Sequence, residues 1–90
     1  TERAVGLGLI NQVVEGSALD GAKALAAKIA ENGPLAVRIS KKIMKESRGW
    51  PMDERYKRQG EALGPVFMSE DAREGAAAFA EKRKPNWKGK

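Results

Sequence analysis

"SEDAREGAAAFAEKRKPNWKGK", residues 69–90, closes the chain, and its reading decides what the rest must be. Ser69 followed by Glu70 and Asp71 is a helix-start signal. The hydroxyl can accept from a free N–H of the first turn, and the acids favour the positive end of the helix. Ala72, Ala76, Phe79 and Ala80 then recur at helical spacing, which predicts a helix over about 70–83 with Phe79 as its only bulky apolar member. Lys82, Arg83 and Lys84 crowd the predicted last turn, where each cation gains about 0.3–1 kcal/mol from the helix dipole. Phe79 and Lys82, three residues apart, share a face in such a helix. Two accounts of the pair stay open. Phe79 can be a core residue beside cations that favour a helix end. Alternatively, the ring can stack on a purine while the ammonium pairs with its phosphate, stacking being worth about 1–3 kcal/mol per base. From the residues alone, core packing is the better account of Phe79.

Working back from this stretch, "MDERYKRQGEALGPVFMSED" (52–71) predicts a helix from Asp53 with Tyr56, Leu63 and Val66 or Phe67 on its apolar side. Pro65 removes a helical hydrogen bond and crowds the preceding turn, so a kink or break is expected near Gly64. "PLAVRISKKIMKESRGWP" (34–51) predicts a helix that buries Ala36, Ile39 and Ile43, supported by Leu35 and Met44, and that ends at Gly49 and Pro51. Its other face carries Arg38, Lys41, Lys42 and Lys45. "EGSALDGAKALAAKIAENGP" (15–34) predicts a helix capped by Ser17, with Asp20 in the capping-box position and Asn32-Gly33 as its end. Leu19, Ala22, Leu25 or Ala26, and Ile29 form its stripe, and Pro34 suits the first turn of the next helix. "VGLGLINQVV" (5–14) reads as a glycine-broken turn followed by a short strand near Ile10 to Val14. One strand cannot satisfy its own backbone groups, so its partner must come from elsewhere. With Thr1 opening abruptly, the chain reads as a piece of something longer.

The fold class expected is therefore mainly α, about four helices with one short N-terminal strand. Ninety residues make one small domain of marginal stability. Much of the apolar content is alanine, and the aromatic residues are Trp50, Tyr56, Phe67, Phe79 and Trp87. The chain has no cysteine and no histidine. That excludes a disulfide scaffold, an imidazole base or triad, and histidine metal ligands. No apolar run approaches the ~18 residues of a membrane span, and no signal peptide is visible, so a cytoplasmic protein is the default. The net charge of +5 favours anionic partners.

Few constellations could carry chemistry. "GLG" at 6–8 precedes a predicted strand instead of following one and lacks the rest of a dinucleotide fingerprint. Glu70 and Glu74, one helical turn apart, could form an acid/base pair, but charge placement at a helix start explains them as well. The stripe Arg38, Lys41, Lys42, Lys45 could line an anion groove or be a solvated face.

Taken in order, "GLINQVV", "GSALDGAKALAAKIAENGPLAVRISKKIM" and "SEDAREGAAAFAEKRKPNWKG" resemble the C-terminal third of enoyl-CoA hydratases of the crotonase superfamily. The resemblance covers nearly the whole chain. It implies that residues 1–16 end a spiral α/β core and that 17–90 form the C-terminal helical, trimerisation region. It implies an acyl-CoA substrate, no separate cofactor (coenzyme A being part of the substrate), and a homo-oligomer, trimer or hexamer, with neither nucleic acid nor a membrane as partner. In the family, two backbone N–H groups stabilise the enolate of the thioester and two glutamates handle the water added across the 2,3 double bond. No glutamate of this chain matches those positions. No catalytic residue is therefore expected here, and the 90 residues alone are expected to be inactive.

The family's "AF-x-EK" motif approaches the adenine and 3′-phosphate of coenzyme A, and here it falls on Phe79 and Lys82. Trp87 stands where many relatives carry phenylalanine. The resemblance thus reverses the preference for Phe79 as a core residue. Two alternatives remain: another superfamily member, isomerase or dehydratase, and a small basic helical module for nucleic acid. The second lacks any recognised motif.

Overall fold

Residues 1–90 are all described by the computed structural model, which contains five α-helices: α1 (Glu2–Gly6), α2 (Ala18–Ala30), α3 (Pro34–Glu46), α4 (Arg55–Phe67) and α5 (Glu70–Ala80). Local signals set most boundaries. Ser17 Oγ accepts from Asp20 N–H at 3.3 Å to start α2. Asn32 Nδ2 donates back to the carbonyls of Lys28 and Ile29, and Pro34 opens α3 where a missing donor is harmless. Ser69 Oγ accepts from Ala72 N–H at 3.1 Å to start α5 and donates to the Val66 carbonyl at 2.6 Å. Short 3₁₀ turns, Ser47–Gly49 and Met52–Glu54, carry the chain round Pro51.

Several expectations are corrected. The strand expected near Ile10 to Val14 is not formed. Gln12 to Val14 have no ladder, because nothing in the chain lies alongside to pair with them. A short helix, α1, precedes them, and Gly8 takes the turn between at φ 75°. α4 runs unbroken through Pro65. The proline lies in the final turn, where a single intrahelical bond is lost, and the Met68 and Ser69 amides close the end on Gly64 and Val66 carbonyls. α5 stops at Ala80, short of Arg83. On α3, Ala36 and Met44 are exposed, while Leu35, Val37, Ile39 and Ile43 are half-buried.

α3 packs chiefly on α4, and α4 on α5. The result is an open slab of 42 × 40 × 18 Å. Its radius of gyration is 16.9 Å, against about 12 Å for a compact domain of this length. The accessible surface is 7665 Å². A folded monomer of this mass exposes about 5,200 Å², so roughly 2,500 Å² is in excess. Only Ala78 and Asp71 are buried, at 1% and 4% exposure. Leu19, Leu25, Ile29, Tyr56, Phe67 and Met68 lie open. No helix is long and apolar enough to cross a membrane.

Candidate functional site

The slab's long-range side-chain hydrogen bonds gather along α5 and the segment that follows it. After Ala80 and Glu81, Lys82 takes the left-handed region, φ 54°, the only non-glycine residue with positive φ. Its N–H donates to the Phe79 carbonyl at 3.3 Å, and the Arg83 N–H reaches the Ala78 carbonyl at 3.0 Å. This two-bond closure is the common way to end a helix through a left-handed residue, a position glycine normally takes. A β-carbon there costs about 1–2 kcal/mol. The turn reverses the chain, and residues 83–90 run back along α5 towards its start.

Three side chains fasten this returning tail. Glu74 accepts from Arg83 Nη1 at 2.5 Å and from the Asn86 N–H at 3.0 Å. Arg83 also donates to Glu81. The hydrogen bond from Arg83 and then that from Asn86 hold the Glu74 carboxyl down from 4.5 to about 2. The same carboxylates, Glu74 first and Glu81 second, push the Arg83 guanidinium above its ordinary value. Nearest the start of α5, buried Asp71 accepts from the Lys88 and Gly89 amides, each at 2.8 Å, while its own N–H donates to the Lys90 carbonyl at 2.9 Å. Gly89, at φ 76°, lets two successive N–H groups converge on one carboxylate, as in an anion-binding nest.

Trp87 is the third fastener. Its Nε1 donates to the Glu31 carbonyl at the end of α2, at 3.0 Å. The indole lies so close over α5 that a Cβ on Gly75 would sit 3.1 Å from it. A side chain at 75 would press on the ring, which would have to shift by a few tenths of an ångström.

Between the end of α2 and this reversal lies a cleft of about 510 Å³, its basic wall formed by Lys82, Arg83 and Lys84 with Trp87 as its floor. Arg83 is committed to Glu74 and Glu81. Lys82 and Lys84 enter no ion pair, so the cleft's available positive charge is theirs. Phe79 is 87% exposed on the preceding turn. It is not a core residue of this chain.

The two residues singled out from sequence, Phe79 and Lys82, therefore stand exposed and three residues apart in chain, but not on one helical face as the spacing suggested, and Phe79 does not line the cleft. Lys82 lies beyond the helix, as do Arg83 and Lys84. Glu74 is tied to Arg83 and Asn86 and is no poised acid. Glu70 is exposed, so the Glu70–Glu74 pair is charge placement and tail anchorage. Arg38, Lys41, Lys42 and Lys45 are all exposed on α3, a solvated face. The sequence reading missed Asp71 and Trp87 as organisers. A lone indole in an otherwise basic tail was the available signal, since it needs a socket, and Gly33 and Gly75 provide one.

The Glu74–Arg83 link makes a pH prediction. A carboxyl depressed from 4.5 to about 2 contributes stability that is complete above 4.5 and is lost as pH falls towards 2. Tail docking, followed by amide exchange at Asn86, is expected to weaken across that window. Glu74→Gln should flatten the dependence and lower docking at neutral pH. An unchanged acid profile in that variant would contradict the assignment.

A family model described as enoyl-CoA hydratase/isomerase matches residues 1–90. The chain is 45% identical over 82 residues to an enoyl-CoA hydratase of Mycobacterium tuberculosis, covering 90% of this chain and 31% of that protein. It is 43% identical over 94 residues to a carnitinyl-CoA dehydratase of Citrobacter koseri, covering 99% and 36%. Among solved structures, an enoyl-CoA hydratase of Mycobacterium marinum superposes with a TM-score of 0.94 at 57% identity, covering 99% of this chain and 36% of that one. One from Mycobacterium tuberculosis gives 0.95 at 57% identity, with the same coverage. The chain thus spans about a third of the length of the relatives it matches.

Proposed function

This chain belongs to the enoyl-CoA hydratase/isomerase family, and from that membership we propose that it serves an enzyme adding water across the 2,3 double bond of an acyl-CoA thioester. Its own part is to present Phe79 to the adenine and Lys82 to the 3′-phosphate of coenzyme A, and to offer its open helical faces to the rest of the enzyme and to neighbouring subunits of a trimer or hexamer. The catalytic carboxylates lie outside these residues. Coenzyme A enters as part of the substrate, so no further cofactor is invoked.

The observation that carries the reading is the exposed Phe79 three residues before a lysine held in a left-handed turn. Backbone strain persists where something else over-determines it, and it concentrates at ligand clamps. The excess surface supports the assembly part of the proposal, since it exceeds the ~1,600 Å² of a standard interface.

Lys82→Gly separates binding from folding. In the intact protein it is expected to raise stability by about 1 kcal/mol, because glycine relieves the left-handed strain. It should weaken coenzyme A binding roughly tenfold, the loss of one charge-assisted contact. The binding loss should shrink when 3′-dephospho-coenzyme A is the ligand. Equal losses with both ligands would overturn the phosphate assignment. Failure of the intact protein to hydrate crotonyl-CoA would overturn the hydratase reading. The similarity to carnitinyl-CoA dehydratase favours one alternative, elimination of water from carnitinyl-CoA; hydration and dehydration being one reversible reaction, comparing turnover of carnitinyl-CoA with that of 3-hydroxybutyryl-CoA distinguishes it.

A further inference from the structure

We infer that Asp71, which does not line the basic cleft, is a positioning residue for the coenzyme A contact: by gripping the far end of the tail it holds Lys82 in the left-handed turn that aims it. The inference rests on the reading of Lys82 given above.

The turn at Lys82 gains little by itself. It has two backbone hydrogen bonds, set against a left-handed β-carbon costing about 1–2 kcal/mol. What keeps the chain reversed lies downstream, where the tail must stay against α5 for the reversal to persist. Asp71 is the innermost fastener. It is 4% exposed, and its two oxygens take one amide each, Lys88 N–H and Gly89 N–H, both at 2.8 Å. The return bond from Asp71 N–H to the Lys90 carbonyl closes the grip. Asp71 lies about 15 Å along the helix from Lys82. It lines the apolar groove beside α3 and a polar hollow with Glu70, Arg73, Glu74, Ala77 and Lys88, not the cleft that Lys82 faces. A buried carboxylate spent wholly on the backbone of residues 88–89 fixes their course along α5.

Asp71→Asn keeps the shape and removes the charge and one acceptor. In the intact enzyme, with crotonyl-CoA as substrate, the KM is expected to rise about tenfold with kcat within about twofold, the signature of lost uniform binding. With 3′-dephospho-crotonyl-CoA the KM should barely move. The double variant Asp71→Asn/Lys82→Ala should have the KM of Lys82→Ala alone, because both changes remove one interaction. A purely structural role would give additive losses and would lower kcat as well, and either result overturns the inference.

If Lys82→Ala raises the KM while Asp71→Asn leaves it unchanged, the positioning role fails and the Lys82 reading survives. If Lys82→Ala itself has no effect, both fail. Should Asp71→Asn not fold, amide exchange on the unaltered enzyme decides. By reciprocity, coenzyme A must tighten the grip that aids its binding, so exchange at Lys88 and Gly89 should slow with coenzyme A and not with its 3′-dephospho form. No slowing overturns the inference.

Discussion

Trp87→Ala is expected to destabilise the intact protein by about 3 kcal/mol, at the lower end for deletion of a large ring because the indole is only partly buried. The ring spans two glycines and joins α5 to the end of α2 through Glu31. Its removal leaves the tail on Asp71 and Glu74 alone and detaches α2, whose own residues make little contact with the rest of the slab. Denaturant unfolding would show the loss. Amide exchange should accelerate throughout residues 83–90 and at the last turn of α2. Trp87→Phe should keep most of the packing and lose the bond to the Glu31 carbonyl, for a cost of about 1 kcal/mol. A change under about 1 kcal/mol in the alanine variant would show that the ring is not the tail's main anchor.

The second large effect concerns the 90 residues in isolation. They are expected to hydrate no crotonyl-CoA and to self-associate as concentration rises. The loss of activity should be complete. The one carboxyl with a shifted pKa, Glu74, is shifted downward and locked to Arg83, the opposite of what a general acid needs. Self-association follows from roughly 2,500 Å² of surplus surface that includes Leu19, Ile29, Phe67 and Met68. Sedimentation across a concentration series reads it. A compact monomer at the highest concentration would contradict the assembly role, and turnover by the isolated chain would contradict the division of labour proposed for it.

What could be read from the sequence was what is decided within one or two turns of chain. Ser17 and Ser69 announce their helices because a hydroxyl meets an amide three residues on, whatever surrounds it. Pro34 marks a first turn by its own covalent geometry. Pro65 misled because its effect depends on position: in the last turn it forfeits one bond, where mid-helix it would have bent the rod. The end of α5 was hidden because a left-handed lysine has no signature of its own. The Asp71 and Trp87 contacts were hidden because they join residues far apart in sequence, through backbone amides that every residue type possesses. The extended pattern at Ile10 to Val14 was read as a strand from composition, but a strand exists only beside another. Helical spacing singles out Phe79 and Lys82 as a pair, and the family motif falls on the same two residues, but the shared helical face is not formed because α5 ends at Ala80.

The left-handed corner at position 82 has a consequence for anyone improving this protein by selection. A library screened on heat resistance alone would enrich glycine there, or asparagine, which tolerates the same backbone and lies a single nucleotide from lysine. Each winner would leave the screen sturdier and missing one of the cleft's two uncommitted cations. On the contact proposed above for Lys82, durability and ligand capture pull one codon in opposite directions, and only a screen that rewards both would leave it as it is.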